Sequence, residues 1–302
     1  MNAAADTTLL AVPNVSEGRD AAALAAIGAA FASAPGVRLL TDVPHADADH
    51  DRAVFTLAGP PGGLADAIVA GAREAVARIY LDRHDGLHPH VGALDVAPVV
   101  FLDDARRGAA CAEALVVADR LADELGLPVF LYGLLGGGRT RAELRRGGIE
   151  ALGERTRAGE LVPDFGPPEP HPTAGAVLVA ARPPLVAFNL ELAPPATLED
   201  ARRIAERIRE GGAEGLTGVR AIGLELAHRG GIAQVSVNVE DHRATPLAEL
   251  LAAVSRHAGV TEAELVGLAP SAAFDGWPQA VAVRNRATIE DAFQTRPSRS
   301  NI

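Results

Sequence analysis

Asp164-Phe-Gly-Pro-Pro-Glu-Pro-His-Pro172 is the stretch that decides how this chain is organised. Four of its nine residues are prolines, which lack a backbone donor and therefore continue neither a helix nor a central strand. We predict a subdomain boundary just after it. The predicted division is a first subdomain at 1–173, a second at 174–293 and a polar tail at 294–302.

On both sides of this seam, short apolar runs alternate with alanine-rich helical stretches. Each half opens in the order strand, helix, strand, strand, helix, strand, which is the order of a ferredoxin-like unit. We predict an α/β (α+β) fold with two subdomains, each a mixed sheet with helices packed on it. The predicted strands are 9–13, 37–43, 53–59, 93–102, 128–132, 176–180, 185–192, 218–225, 232–239 and 265–268, and the predicted helices are 20–34, 64–80, 104–125, 198–210 and 246–258.

Composition excludes several classes of function. All 28 basic residues are arginines, which excludes a Schiff-base lysine and the lysine of a phosphate-binding P-loop. The net charge of -11 argues against a nucleic-acid partner. No apolar run approaches the eighteen residues of a membrane span, and the single cysteine, Cys111, allows no intrachain disulfide. We expect a cytoplasmic protein without a membrane partner.

Three histidines, His84, His88 and His90, fall within seven residues and allow two interpretations. One is a metal site, since His45, Asp47, Asp49 and His50 could add nitrogen and carboxylate ligands. Gly86 and Pro89 argue against the continuous helix that would pair His84 with His88. The other interpretation is general acid/base catalysis by one imidazole, which titrates near neutrality.

Seven strings, in order along the chain, resemble the two subdomains of the glutamate formimidoyltransferase (formiminotransferase) family, in its monofunctional form without a cyclodeaminase domain. The resemblance runs in order from about residue 9 to about residue 275. The strings are Val12-Pro-Asn-Val-Ser-Glu-Gly18, Asp49-His-Asp-Arg-Ala-Val-Phe-Thr56, His84-Asp-Gly-Leu-His-Pro-His-Val-Gly-Ala-Leu-Asp-Val96, Pro163-Asp-Phe-Gly-Pro-Pro-Glu-Pro-His-Pro-Thr-Ala-Gly175, Val186-Ala-Phe-Asn-Leu190, Ala233-Gln-Val-Ser-Val-Asn238 and Leu265-Val-Gly-Leu-Ala-Pro270.

The resemblance implies transfer of a formimino group from N-formimino-L-glutamate to tetrahydrofolate during histidine degradation, with tetrahydrofolate as co-substrate, no metal, and a homodimer. It places the catalytic acid/base on His88, before the proline of the His-Pro pair. We assign Arg52 to a substrate carboxylate, because its planar fork matches one. The full set expected to bind substrate or folate is Asn14, His45, His50, Arg52, His84, His90, Gly133, Gly166, His171, Thr173, Gly175, Asn189, Gln234 and Asn238.

Three positions differ from the family's usual pattern. Asp51 stands where asparagine is usual, His90 where arginine is usual, and Leu134 where an acidic residue is frequent. Arg83 or Arg139 could replace the positive charge lost at residue 90. The alternatives are a family member with another one-carbon or amidine donor or another pterin-like acceptor, a metal-dependent hydrolase, and a non-catalytic folate-binding module.

Overall fold

The structure, a computed structural model, describes residues 8–87 and 89–295. The chain divides into two compact units, residues 1–183 and 184–302. This division lies C-terminal to the predicted boundary at 173, because a strand expected to open the second half pairs within the first sheet.

The first unit contains one mixed sheet. Its strands are β1 (Leu9–Ala11), β2 (Asn14–Val15), β3 (Arg38–Leu39), β4 (His45–Asp47), β5 (Arg52–Val54), β6 (Leu57–Gly59), β7 (Leu94–Val100), β8 (Val129–Leu131) and β9 (Val177–Arg182). The order across the sheet is β3-β6-β1-β7-β2-β5-β4, and β9 pairs in parallel with both β7 and β8. Strands β1, β3, β6 and β7 form the expected ferredoxin-like core.

Helices cover both faces of this sheet. The helices are α1 (Ala21–Phe31), α2 (Gly63–Arg78), α3 (Arg107–Leu125), α4 (Arg141–Arg145) and α5 (Gly148–Arg157). Side chains of α1, α2 and α3 pack with Leu57, Val99 and Val179 in the larger aliphatic core. On the opposite face, Leu144 and Leu152 of α4 and α5 pack against Val96 and Phe130. Strand β7 is therefore buried on both sides.

The second unit repeats the ferredoxin-like order and adds a short strand and helix. The elements are β10 (Val186–Leu192), α6 (Leu198–Ile208), β11 (Val219–Leu226), β12 (Ile232–Val239), α7 (Leu247–Ser255), β13 (Val260–Val266), β14 (Val283–Arg284) and α8 (Ile289–Gln294). The order across the sheet is β11-β12-β10-β13-β14, and every pair is antiparallel except β13–β14. Phe188, Leu190 and Val235 face the helices in an apolar core.

The predicted fold class is confirmed, and the differences concern short elements. Helices α4, α5 and α8 and strands β2, β4 and β14 were not predicted, because segments this short carry little periodicity. The last strand, expected at 265–268, lies earlier, at Val260–Val266. The predicted strand at 37–43 shrinks to Arg38–Leu39. Asp20 caps α1 as expected, accepting hydrogen bonds from the backbone of Ala22 and Ala23. Within 8–87 and 89–295, no helix is both long and apolar enough to cross a membrane.

A carboxylate from α3 caps the start of α2. Gly62 precedes α2 and offers no side chain, but buried Glu113 accepts hydrogen bonds from the backbone nitrogens of Gly62 (2.6 Å) and Ala65 (2.7 Å). A carboxylate at a helix N-terminus satisfies donors that have no partner inside the helix and interacts favourably with the helix dipole.

We expect Glu113→Ala to lower the free energy of unfolding by roughly 2–3 kcal/mol, because two buried N–H groups lose a charged acceptor. Urea denaturation followed by circular dichroism measures the change. The matched control is Asp119→Ala on the exposed side of the same helix, for which we expect a change within about 0.5 kcal/mol. Equal effects of the two substitutions would contradict the capping role.

Candidate functional site

Three loops of the first unit are joined by hydrogen bonds. They are residues 16–19 after β2, residues 48–51 between β4 and β5, and the described residues 84–87 and 89–92 before β7, which we call the histidine segment. The Gly18 nitrogen donates to the Asp51 carboxylate (2.9 Å), the Leu87 nitrogen donates to the Asp49 carbonyl (3.0 Å), and the Ser16 hydroxyl donates to the Gly92 carbonyl (2.7 Å). Each loop is therefore fixed by another.

Glycine is required at two of these loop contacts. A Cβ on Gly18 would lie 2.2 Å from the Asp47 carbonyl oxygen, and a Cβ on Gly86 would lie 2.3 Å from the His50 carbonyl oxygen. Both neighbours are backbone atoms, which cannot move aside as a flexible side chain can. The close approach of the three loops therefore depends on these two residues.

His84 is committed to holding the loops together. Its side chain is 3% exposed, its Nε2 lies 2.8 Å from the Asp51 carbonyl, and its Nδ1 accepts from the Gly86 nitrogen at 3.3 Å. A carbonyl only accepts, so Nε2 donates the hydrogen bond to Asp51. The ring also contacts the His90 ring, with 3.8 Å between centroids. Two of the predicted site histidines thus meet.

His50 and His45 lie on the neighbouring loop and strand. The His50 ring is nearly buried, and its Nδ1 lies 2.9 Å from the Asp47 carboxylate, which also accepts from the His50 backbone nitrogen at 2.8 Å. His45 lies on β4 opposite Val54. The structure thus places His50 as a partner of Asp47.

Asp51, where the family usually has asparagine, uses its charge inside the loops. Its backbone has φ 46°, a left-handed conformation that aspartate and asparagine adopt more readily than most residues. One carboxylate oxygen accepts from Gly18, and the other lies 3.5 Å from an Arg19 guanidinium nitrogen. The extra negative charge therefore has a cation beside it.

Arg52 lies in a buried network with Asn14 and Asp95. Its Nε and Nη2 donate to Asn14 Oδ1 (2.9 and 2.5 Å), and its Nη1 donates to Asp95 Oδ2 (3.0 Å). The Asn14 amide nitrogen donates to the Val12 carbonyl at 2.8 Å. Two predicted site residues, Asn14 and Arg52, are thus in direct contact.

Asp95 binds a second arginine, Arg145 of α4, which sequence reasoning missed. The Arg145 Nη2 donates to the same Asp95 oxygen as Arg52, and the other Asp95 oxygen accepts from the Val91 nitrogen at 2.9 Å. Asp95 is the extra residue of a β-bulge, since Asn14 pairs with Val96 and Val15 with Leu94. A bulge redirects a side chain, and this one directs a carboxylate toward two arginines.

Burial and like charge shift the pKa values of this network. Burial lowers the pKa of Arg52 most, the charges of Arg145 and Arg141 lower it further against the attraction of Asp95, and the result is about 9. Burial likewise lowers the pKa of Arg145. Burial alone would raise the pKa of Asp95, but Arg145 and Arg52 outweigh burial and lower it. All three groups are charged at neutral pH.

The loop from His171 to Gly175 lies against the histidine segment. Gly175 pairs with Gly92, the Leu81 nitrogen donates to the Thr173 carbonyl at 3.1 Å, and His171 Nδ1 accepts from the Ala174 nitrogen at 3.1 Å. These contacts bring together two stretches of the chain that are about eighty residues apart in sequence.

The two arginines considered as replacements for a positive charge at residue 90 both contact other side chains. Arg139 forms an ion pair with Asp164, and the Arg83 guanidinium lies 5.2 Å from the centre of the Tyr80 ring. Gly133 begins the glycine-rich turn, where its nitrogen donates to the Arg139 carbonyl at 2.9 Å. Gly166 has φ +85° beside the Leu127 carbonyl.

The remaining predicted site residues lie in the second unit, on the sheet face opposite its helices. Asn189 donates to Glu264 at 3.1 Å, and Asn238 lies between Ala187 and Arg220 in the sheet register. Gln234 is fully buried, and within the described residues neither atom of its amide has a hydrogen-bond partner.

His88, the predicted catalytic residue, lies outside the described residues. Within residues 8–87 and 89–295, no three or more His, Cys, Asp or Glu side chains are grouped to hold a metal ion. Both His88 as acid/base and the metal alternative that includes it stay predictions.

Comparisons with known proteins identify the family. A model of the formiminotransferase domain, N-terminal subdomain, matches residues 8–182, and a model of the formiminotransferase domain matches 187–280. The chain is 36% identical over 270 residues to glutamate formimidoyltransferase of Streptococcus pyogenes serotype M1, covering 87% of this chain and 89% of that protein. The match to glutamate formimidoyltransferase of Thermoplasma acidophilum is 35% identical, covering 87% and 88%. This chain belongs to the formiminotransferase family.

Other relatives are longer. The formimidoyltransferase-cyclodeaminase of Gallus gallus is 39% identical over 275 residues, 87% of this chain and 50% of that protein. The chain therefore spans about half the length of that relative. A solved structure of a putative M16-like peptidase from Alicyclobacillus acidocaldarius aligns at 12% identity with a TM-score of 0.19, too low to indicate a shared fold.

A signal in the sequence could have found the missed residues. Asp95 is a charged side chain inside the otherwise apolar run Leu94–Val100, and a buried carboxylate requires cationic or hydrogen-bonding partners. The pattern alone could not say that Arg145, fifty residues later, would be one of them.

We expect Asp95→Asn to lower the free energy of unfolding by roughly 3–5 kcal/mol, because it removes the negative charge that two buried arginines share. Urea denaturation at pH 7 measures the loss. The control is Asp85→Asn, whose carboxylate is 74% exposed and pairs with Arg19 at the surface, so its loss should stay below about 1 kcal/mol. A loss below about 1 kcal/mol for Asp95→Asn would contradict the assignment.

Asp47 supplies a pH-dependent stabilisation. Burial alone would raise its pKa, but the hydrogen bonds and charge of His50 outweigh burial and lower the pKa to about 2. A depressed carboxyl pKa stabilises the fold above the unfolded value of about 4, and that stabilisation is lost as the pH falls toward 2. We expect the stability difference between wild type and Asp47→Asn to shrink by about 1 kcal/mol from pH 5 to pH 3.

Urea denaturation at the two pH values measures this difference, and Asp42→Asn at an exposed position of the same segment is the control. The control should show no such change between the two pH values. A wild-type advantage over Asp47→Asn that is the same at pH 5 and pH 3 would be inconsistent with the role of His50.

Proposed function

We propose that this protein transfers the formimino group of N-formimino-L-glutamate to tetrahydrofolate, giving 5-formiminotetrahydrofolate and L-glutamate. The observation that carries the proposal is the match, at 35–36% identity over nearly nine-tenths of their length, to two relatives named glutamate formimidoyltransferase. Tetrahydrofolate is a co-substrate in this proposal, and the reaction requires no metal. The homodimer and the cytoplasmic location stay predictions.

The reaction exchanges one C–N bond for another. N5 of the reduced folate attacks the formimino carbon, and the bond from that carbon to the glutamate nitrogen breaks as the tetrahedral intermediate collapses. The proton leaving N5 must reach the departing glutamate nitrogen. One imidazole can accept the first and donate the second, a contribution of about 10²- to 10⁴-fold in rate.

We assign this proton transfer to His88. In support, the residues on either side of it are held in defined positions: the Leu87 backbone donates to Asp49, and His90 packs on the buried ring of His84. Orientation of the acid/base toward the reacting atoms supplies much of the remaining rate. The rest of the predicted set would position the two substrates.

The stretch 166–175 is the proposed folate contact. In support, it folds against the histidine segment through Gly92 and Leu81. Gly175 has φ +71°, and a Cβ there would lie 2.1 Å from the Val91 carbonyl. Only glycine allows this approach, so the folate-side loop and the acid/base segment share one backbone junction.

We expect the wild type to convert formiminoglutamate and tetrahydrofolate, and His88→Ala to lower kcat by about 10²- to 10⁴-fold because the proton relay is lost. Absorbance of the folate product and direct detection of glutamate measure turnover. The control is His228→Ala, an exposed histidine of the second unit, which should keep wild-type kcat. A folded wild type without turnover would overturn the proposed function, and full activity of His88→Ala would overturn the assignment of His88.

A further inference from the structure

Positive charge exceeds negative charge in one cluster of the first unit, which we call the arginine cluster and define as Arg52, Asp95, Arg141 and Arg145. Arg141 is half-buried. One carboxylate, Asp95, faces the two buried guanidinium groups of Arg52 and Arg145. Arg141 adds a third positive charge, which lowers the pKa of both Arg52 and Arg145. The sum is about two positive charges at neutral pH in a protein whose net charge is -11.

Two buried polar side chains, Arg145 of this cluster and Tyr132, each have an atom without a hydrogen-bond partner among the described residues. Arg145 is 8% exposed and Tyr132 is 6% exposed. Within the described residues, neither Nε of Arg145 nor the hydroxyl of Tyr132 has a hydrogen-bond partner. A buried polar group without a partner costs about 1–3 kcal/mol, so such groups are rare unless they serve a ligand.

The fold brings these atoms together for a local reason. Arg141 and Arg145 are four residues apart on α4, so they share one face of the helix. Tyr132 follows β8 directly, and its ring packs in the same apolar cluster as Leu144 of α4. The Arg141 guanidinium lies 5.9 Å from the centre of that ring.

We propose that Arg141, Arg145 and Tyr132 form a subsite for a substrate carboxylate. A carboxylate there would accept hydrogen bonds from Nε of Arg145 and from the Tyr132 hydroxyl, and would neutralise part of the excess positive charge. Charge-assisted hydrogen bonds of this kind are about twice as strong as neutral ones.

This proposal rests on the proposed function, which offers two carboxylate sources of the same chemistry, the glutamate part of the donor and the glutamate tail of the folate. Kinetics distinguish them. An increase in KM for formiminoglutamate alone identifies the donor, and an increase in KM for tetrahydrofolate alone identifies the tail. Arg141→Gln should raise one KM by roughly 10- to 100-fold, as expected for removing one of the positive charges beside the carboxylate.

Tyr132→Phe separates a ligand role from a structural one. The hydroxyl has no partner among the described residues, so its removal should leave the thermal stability of the ligand-free protein unchanged or raised while increasing the same KM. A structural hydroxyl would show the reverse, with lower stability and unchanged KM. Arg146→Gln, the exposed neighbour of Arg145, is the matched control and should change neither KM.

Calorimetric titration with L-glutamate and with p-aminobenzoyl-L-glutamate tests the subsite without turnover. We expect one of these probes to bind the wild type and to lose at least tenfold in affinity in Arg141→Gln and Tyr132→Phe. If wild type turns over but neither variant changes KM or probe affinity, the subsite is overturned and the proposed function stands. If wild type does not turn over but the variants weaken probe binding, the function fails and the subsite stands.

Discussion

The ion pairs of Asp95 with Arg52 and Arg145 join three parts of the first unit that are distant in sequence. Asp95 lies on β7, Arg52 on β5 and Arg145 on α4. A carboxylate in a strand buried on both faces is shielded from water, so its protein partners must supply both the opposite charge and the hydrogen bonds. The same carboxylate accepts from the Val91 backbone, which fixes where the histidine segment joins the sheet.

The loops around that segment approach each other closely, and each of their contacts involves a backbone atom. Gly18 and Gly86 allow the loops to approach within distances that a Cβ would prevent. Hydrogen bonds from Leu87 and Ser16 close the remaining gaps between them. The family's usual asparagine is replaced by Asp51, whose added charge lies beside Arg19. Charge changes near the site are thus compensated locally.

Family likeness and local geometry support different parts of the functional conclusion. The likeness supports the proposed reaction type, because the matched relatives are named glutamate formimidoyltransferases. The geometry supports binding of an anionic substrate, because the arginine cluster offers positive charge to a carboxylate. Arg83 and Arg139 contact Tyr80 and Asp164 instead. An anionic glutamate donor is consistent with both.

The sequence by itself determined the order of the main strands and helices, the division into two units and the grouping of polar residues at loops. These follow from local periodicity, from proline and glycine, and from the burial of apolar runs, all of which act over short stretches of chain. Only the tertiary structure decided that β9 belongs to the first sheet, that Asp95 lies at a bulge, and that Arg52 and Arg145 share the Asp95 carboxylate. Those outcomes depend on strand pairing and on charge neutralisation between residues far apart in sequence, which no local pattern encodes.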